Sequence, residues 1–176
     1  MMRQVILALA LAASNSLSLN MMAAGIKVGE KIPAIDLDFG FPPEKINLAT
    51  RVAGQYLEQQ DALKAKGISE VIIFCVNDAA VMQAWAVDQK VEGSILTFMG
   101  DPSSALTKAL GTVLDDSRVM GVLGYARTKR FAAYLEDGVV KAFEVSEAPD
   151  DPAGDSFPEA SCVENMLTKI PDAKEL

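Results

Sequence analysis

The chain contains no histidine, and its 176 residues include only two cysteines, Cys75 and Cys162. Without imidazole there is no general base that titrates near neutrality, and a zinc or haem site loses its commonest ligand. No metal or cofactor is therefore expected. Any nucleophile must be activated by another group, such as an arginine or a helix N-terminus. Basic residues are also scarce, 16 Lys and Arg against 24 Asp and Glu, for a net charge of −8. Nucleic-acid binding needs a basic face, so that class of partner is excluded. The acidity favours solubility and says little about substrate. No apolar run is long enough to span a bilayer as a helix; Val5 to Ala13 falls well short of the ~20 residues required.

What remains is ordinary globular composition: half the residues are apolar and 23% are charged, enough for one domain with a real core. Met1 to about Asn20 places a single arginine before the Val5–Ala13 run and small polar residues after it. That layout predicts an N-terminal signal over residues 1–20, either secretory or part of a plastid or other organelle address, leaving a mature protein that does not enter a membrane. Met21 and Met22 are alternative starts. Residues 26–170 then form the domain, with 171–176 as a tail. The final Lys-Glu-Leu only loosely matches a lumenal retention tetrapeptide, because Ala173 stands where a charge is expected.

The most informative stretch is Asp61 to Gly93. Lysines before Gly67 predict a helix end over Lys64–Gly67. Val71 to Val76 is a continuous apolar run, suited to a strand buried on both faces as in a parallel sheet. Asn77 and Asp78 can cap a following helix whose Val81, Met82, Trp85 and Ala86 share one face. Helix, buried strand and helix in succession predict an α/β layered domain. Upstream, Gly25 to Leu48 is punctuated by prolines and glycine. Gln55 to Lys66 reads as a helix with Tyr56, Leu57 and Leu63 as its apolar positions.

Downstream, Ile95–Phe98 predicts a short strand, Ser104–Leu110 a helix begun at Asp101–Ser103 and ended by Gly111, and Leu114–Ser117 a loop. Phe131–Leu135 and Val139–Val145 form a hairpin around Asp137-Gly138. Glu147–Pro158 is an acidic loop, and Cys162–Lys169 a final helix closed by Pro171.

Several of these segments, ALKAKG, EVIIFCVNDAAVMQAW, DQKVEG, DPSSALTKALG, LDDS, RTKRFAAYLEDGVVKAFEV and SCVENML, occur in the order found in the type II peroxiredoxins, the atypical two-cysteine thiol peroxidases. With IKVGEKIPAIDLDFG and INLA ahead of them, the resemblance runs from about Ile26 to Ile170. It implies a three-layer thioredoxin-like fold and a thiolate that attacks the O–O bond of hydrogen peroxide or an alkyl hydroperoxide. The resulting sulfenic acid is resolved by a second thiol. Thioredoxin, glutaredoxin or glutathione would be the reductant, and a homodimer is one assembly the family uses.

The resemblance breaks in one place. Between Asn47 and Leu57 the family has a buried strand, a P-x-x-x-T-x-x-C loop carrying the peroxidatic cysteine, and then a helix. This chain reads NLATRVAGQYL, with no cysteine and no such loop. Roughly 20 residues are missing near Gly54, the length of one strand of about six residues plus a loop. An exon lost from the gene model, a splice variant or a genuine evolutionary deletion would account for the gap. In the implied fold the lost strand lies mid-sheet between Val71–Val76 and Phe131–Glu136, so the sheet is expected to lack a central strand and the chain to be less stable than a full-length relative.

Three residues match the family's chemistry in part. Arg130 aligns with the arginine that lowers the thiol pKa and polarises peroxide; Arg127 is the alternative, and a surface ion pair is the bland reading. Cys162 aligns with the resolving cysteine, or is a half-exposed thiol at a helix start with no sulfur to attack. Cys75 is off register from cysteines of relatives and reads as a small buried core residue. A Cys75–Cys162 disulfide is not expected. Two functions follow: a thiol-dependent peroxidase family member impaired by loss of the peroxidatic loop, or a non-enzymatic thioredoxin-fold protein that binds a partner or senses redox state through Cys162.

Overall fold

The computed structural model describes residues 4–8, 25–33, 35, 56–153 and 158–172. The omitted junction (residues 47–55), most of the N-terminal stretch and the end of the tail lie outside them.

Among the described residues five strands make the main sheet. They are β1 (Gln4–Ala8), β2 (Ile68–Cys75), β3 (Leu96–Gly100), β6 (Arg130–Glu136) and β7 (Val139–Ser146), in the order β3-β2-β1-β6-β7. A two-stranded ribbon pairs β4 (Val113–Leu114) with β5 (Arg127–Thr128). The helices are α1 (Gln60–Ala65), α2 (Ala79–Asp88), α3 (Ala105–Leu110), α4 (Ser117–Leu123) and α5 (Val163–Lys169), with a 3-10 turn at Pro158–Ser161. No helix among the described residues is long and apolar enough to cross a membrane.

The apolar run in β2 is buried on both faces because its side chains alternate between two clusters. Val71 and Ile73 join Tyr56, Leu63, Met82, Val163 and Met166, contributed by α2, α5, α1 and the short helical stretch 56–58 just before α1. Ile72 and Phe74 join Leu106 and Leu110 of α3 on the opposite face. The same alternation in β6 sends Ala132 and Tyr134 one way and Ala133 and Leu135 the other. Helices cover both faces, so the expected three layers are present.

Local chemistry sets the element ends. Asp78 accepts a hydrogen bond from Val81 N at 3.0 Å and starts α2. Asp101 is buried and accepts from Ala105 N at 2.8 Å and from Thr107 N and Thr107 Oγ1 at 2.9 and 2.8 Å, holding the first turn of α3. The hairpin turn places Asp137 at φ 49° and Gly138 at φ 78°, the double positive φ that matches the twist of the flanking strands. Of the segment expected to be a loop at Leu114–Ser117, Asp115 and Asp116 are one, while Leu114 ends β4 and Ser117 begins α4, where Asp116 accepts from Arg118 N.

The largest departure from expectation is at the centre of the sheet. A central strand is present, and residues 4–8, the core of the stretch read as a signal, supply it. Gln4 to Ala8 run parallel to β2, registering from Ile68 to Ile73. On the other side Gln4 to Leu7 run antiparallel to β6, registering from Glu136 back to Ala133. The physical reason is the demand of the two neighbours. Both β2 and β6 are buried, and unpaired buried N–H and C=O groups each cost about 1–3 kcal/mol. Several of them would rival a domain's total stability of ~5–15 kcal/mol. An apolar, partly β-branched segment from elsewhere in the chain removes that penalty.

Candidate functional site

The carboxyl end of β2 and the start of β6 lie at the same end of the sheet, since Ala8 registers with Ile73 and Leu7 with Ala133. Open α/β sheets bind ligands at the carboxyl ends of their parallel strands. Both cysteines and both candidate arginines belong to elements that begin or end there.

Cys75 is the last residue of β2. Its Sγ lies 3.4 Å from Met82 Sδ, and it packs against the core cluster that holds Met82. Burial is the main influence on the thiol and pushes its pKa up to about 11; Arg127 opposes this, while Asp101 and Asp78 add to it. Arg127 is occupied by the scaffold. Its Nη1 donates to Val76 O at 3.0 Å, and its guanidinium carbon sits 4.1 Å from the centre of the Tyr125 ring. A thiol held this high is protonated near neutrality and is a poor nucleophile. The sequence reading of Cys75 as a buried core residue is met in part: it packs against the core from a half-buried position.

Cys162 is the N-cap residue of α5, and its Sγ donates to Pro158 O at 3.3 Å. Burial again pushes the thiol up, followed by the Glu164 carboxylate; the Arg130 guanidinium pulls it down, and Glu159 pushes it up. Arg130 opens β6, as its place in the sequence predicted. Arg130 and Cys162 are thus brought within electrostatic reach of one another, whereas Arg127 acts on Cys75.

The turn that carries Cys162 is pinned. Ser146 Oγ lies 2.8 Å from Ser161 Oγ and accepts from Ser161 N at 3.1 Å. The buried Tyr56 hydroxyl donates to Ser161 O at 3.1 Å, and Asn165 Nδ2 donates to Ala160 O at 2.7 Å. Tyr56 counted only as an apolar position in the sequence, and Ser146 carried no signal at all. The hydroxyl of a tyrosine on an apolar helix face is the one clue that a buried acceptor was needed. A resolving thiol was expected to follow a loop and travel; the described turn before Cys162 is tied to β7 and to the helix before α1.

Both cysteines are free. Among the described residues no cluster of three or more His, Cys, Asp or Glu is placed to hold a metal ion. A cleft of about 790 Å³ between α2 and β3 is lined by Gln83, Val87, Lys90, Thr97 and their neighbours, and by neither cysteine nor either arginine.

A family model described as Redoxin matches residues 49–167. The chain is similar to the mitochondrial peroxiredoxin-2F of Arabidopsis thaliana, 42% identical over 96 residues that cover 54% of this chain and 46% of that protein. It is also similar to peroxiredoxin-2C of Oryza sativa subsp. japonica, 32% identical over 124 residues, 70% of this chain and 72% of that one. Among solved structures, the reduced Prx3 of Vibrio vulnificus in complex with hydrogen peroxide matches with a TM-score of 0.68 at 28% identity, covering 83% of this chain and 99% of that one. The chain spans about half the length of the peroxiredoxin-2F proteins it matches, 46% and 56% of them.

Proposed function

Since the chain belongs to the redoxin family, as a thioredoxin-like peroxiredoxin homologue, we propose that it is a thiol-dependent peroxidase relative in which peroxide turnover is impaired. One observation carries this reading: both thiols are held above the ordinary cysteine range, and burial is the main cause each time. Fast attack on an O–O bond requires a thiolate. Neither cysteine stands in the P-x-x-x-T-x-x-C pattern that the family uses for that step. On this reading Arg130 would polarise a peroxide and Cys162 would serve as the resolving thiol, without a peroxidatic sulfur to resolve.

The test is peroxide consumption by the purified chain with dithiothreitol, thioredoxin, glutaredoxin or glutathione as reductant. Consumption near the uncatalysed rate is expected. Rapid thiol-dependent consumption that is lost in Cys162→Ser or Cys75→Ser would overturn the reading.

A second reading has its own support. Cys162 sits at a helix start, partly exposed, with Arg130 favouring its thiolate. That arrangement suits slow oxidation or mixed-disulfide formation with glutathione, a sensing role without turnover. A glutathione adduct on Cys162 but not Cys75, formed by oxidised glutathione in the absence of catalysis, distinguishes it. The compartments named for relatives, mitochondrial and chloroplastic, support an organelle destination. A homodimer and the choice among the three reductants remain parts of this proposal.

A further inference from the structure

The N-terminal stretch has two competing roles: a removable address, or a piece of the fold. We infer that residues 4–8 are a permanent part of the folded protein, seated in a strand-binding slot between β2 and β6 that is specific for an apolar β-segment.

The slot is defined by its walls. β2 presents Val71, Ile72, Ile73 and Phe74, and β6 presents Ala132, Ala133, Tyr134 and Leu135; all eight are buried. Their backbone edges face one another across the width of one strand, and both hydrogen-bond to the inserted segment. The two walls run in opposite directions, so an occupant is necessarily parallel to one and antiparallel to the other, as β1 is. A strand paired on both sides gives every backbone N–H and C=O a partner, which an edge strand or a tethered leader does not. Because layers of helix cover both faces, a polar or charged segment would be excluded. The run Val5-Ile6-Leu7-Ala8 meets these demands. The register slips only between Gln4 and Val5, at the end of the ladder. The family resemblance implies a strand in this slot, and residues 4–8 occupy it.

The test uses the full chain with a protease site inserted between Asn20 and Met21. After cleavage the 1–20 fragment is expected to co-elute with the remainder on size exclusion and to separate only in denaturant. A fragment that elutes free, leaving a remainder of unchanged thermal midpoint, overturns the inference. Hydrogen exchange on the uncut chain gives an independent answer. The amides of Val5 to Ala8 should be slowed as much as those of Val71 to Phe74, roughly 1,000-fold or more relative to an unfolded chain. Unfolded-like exchange at residues 5–8 with β2 still protected sinks it. Leu7→Pro removes a ladder donor from mid-sheet and should lower the midpoint sharply; an unchanged midpoint counts against the inference. Protein purified from its native cells should have an intact mass that includes residues 4–8, and a folded form lacking them contradicts the slot's need for this occupant.

Discussion

The Cys75 thiol meets opposed influences. Burial disfavours the thiolate, and the Arg127 guanidinium favours it without prevailing. The pKa is therefore higher in the folded chain than in the unfolded one, and the folded state holds the proton more tightly. Stability from this source is complete below about pH 9 and is lost as the pH rises towards about 11. Replacing Cys75 with alanine removes a titrating group, so the alkaline decline in stability between those pH values should flatten by about 1–3 kcal/mol. Urea unfolding of both proteins across that range measures it; parallel curves would mean that the thiol is not shielded. Asp101 makes a different argument. It is buried and accepts three hydrogen bonds at the start of α3. Asp101→Ala leaves buried donors unpaired and should cost about 3 kcal/mol, whereas Asp101→Asn keeps one acceptor and should cost about 1–2 kcal/mol. A loss below 1 kcal/mol for the alanine variant would show that water replaces the carboxylate.

At the level of elements, two glycines separate crowding from strain. A Cβ on Gly100 would stand 2.5 Å from Asn77 O and 2.9 Å from Asp78 C, where the end of β3 meets the start of α2. Gly100→Ala should shift that helix off the sheet and cost about 1–3 kcal/mol. At Gly138 there is open space around the same atom, and only the positive φ of 78° resists a side chain. Gly138→Ala should cost about 1 kcal/mol. Thermal melts of the two variants rank them, and Gly100 as the milder site would refute the crowding argument. These elements also mark the limit of what the sequence discloses. The Asp78 cap, the Asp137-Gly138 turn and the two-faced burial of β2 were legible, because each is decided within a few residues. Arg130 and Cys162 were found through resemblance, and the fold brings the guanidinium within electrostatic reach of the thiol although β7 and the loop after it separate them in sequence. β1 was not legible. A short apolar run behind one arginine reads as a leader by composition, and nothing local tells it from a strand whose partners begin at Ile68 and Arg130. The Ser146–Ser161–Tyr56 ties around Cys162 were hidden for the same reason.

Across the whole molecule, β1 is the seam between two halves of the sheet, β3-β2 and β6-β7. Among the described residues no other strand pairs with both β2 and β6, so cooperativity between the halves passes through it. The sequence has a single tryptophan, and Trp85 meets Phe98 of β3 edge-on with ring centres 4.7 Å apart. Its fluorescence therefore reports on the β3-β2 half, while far-UV circular dichroism reports on all helices and strands. With the seam filled, the two signals should give one urea transition, with midpoints agreeing within about 0.2 M. A loosely held β1 would let the β6-β7 hairpin melt apart from the tryptophan side, and the midpoints would diverge. The same comparison on Leu7→Pro supplies the contrast: weakening the ladder at mid-strand should split the transition before it abolishes folding, because β6 and β7 retain their own local turn and pairing.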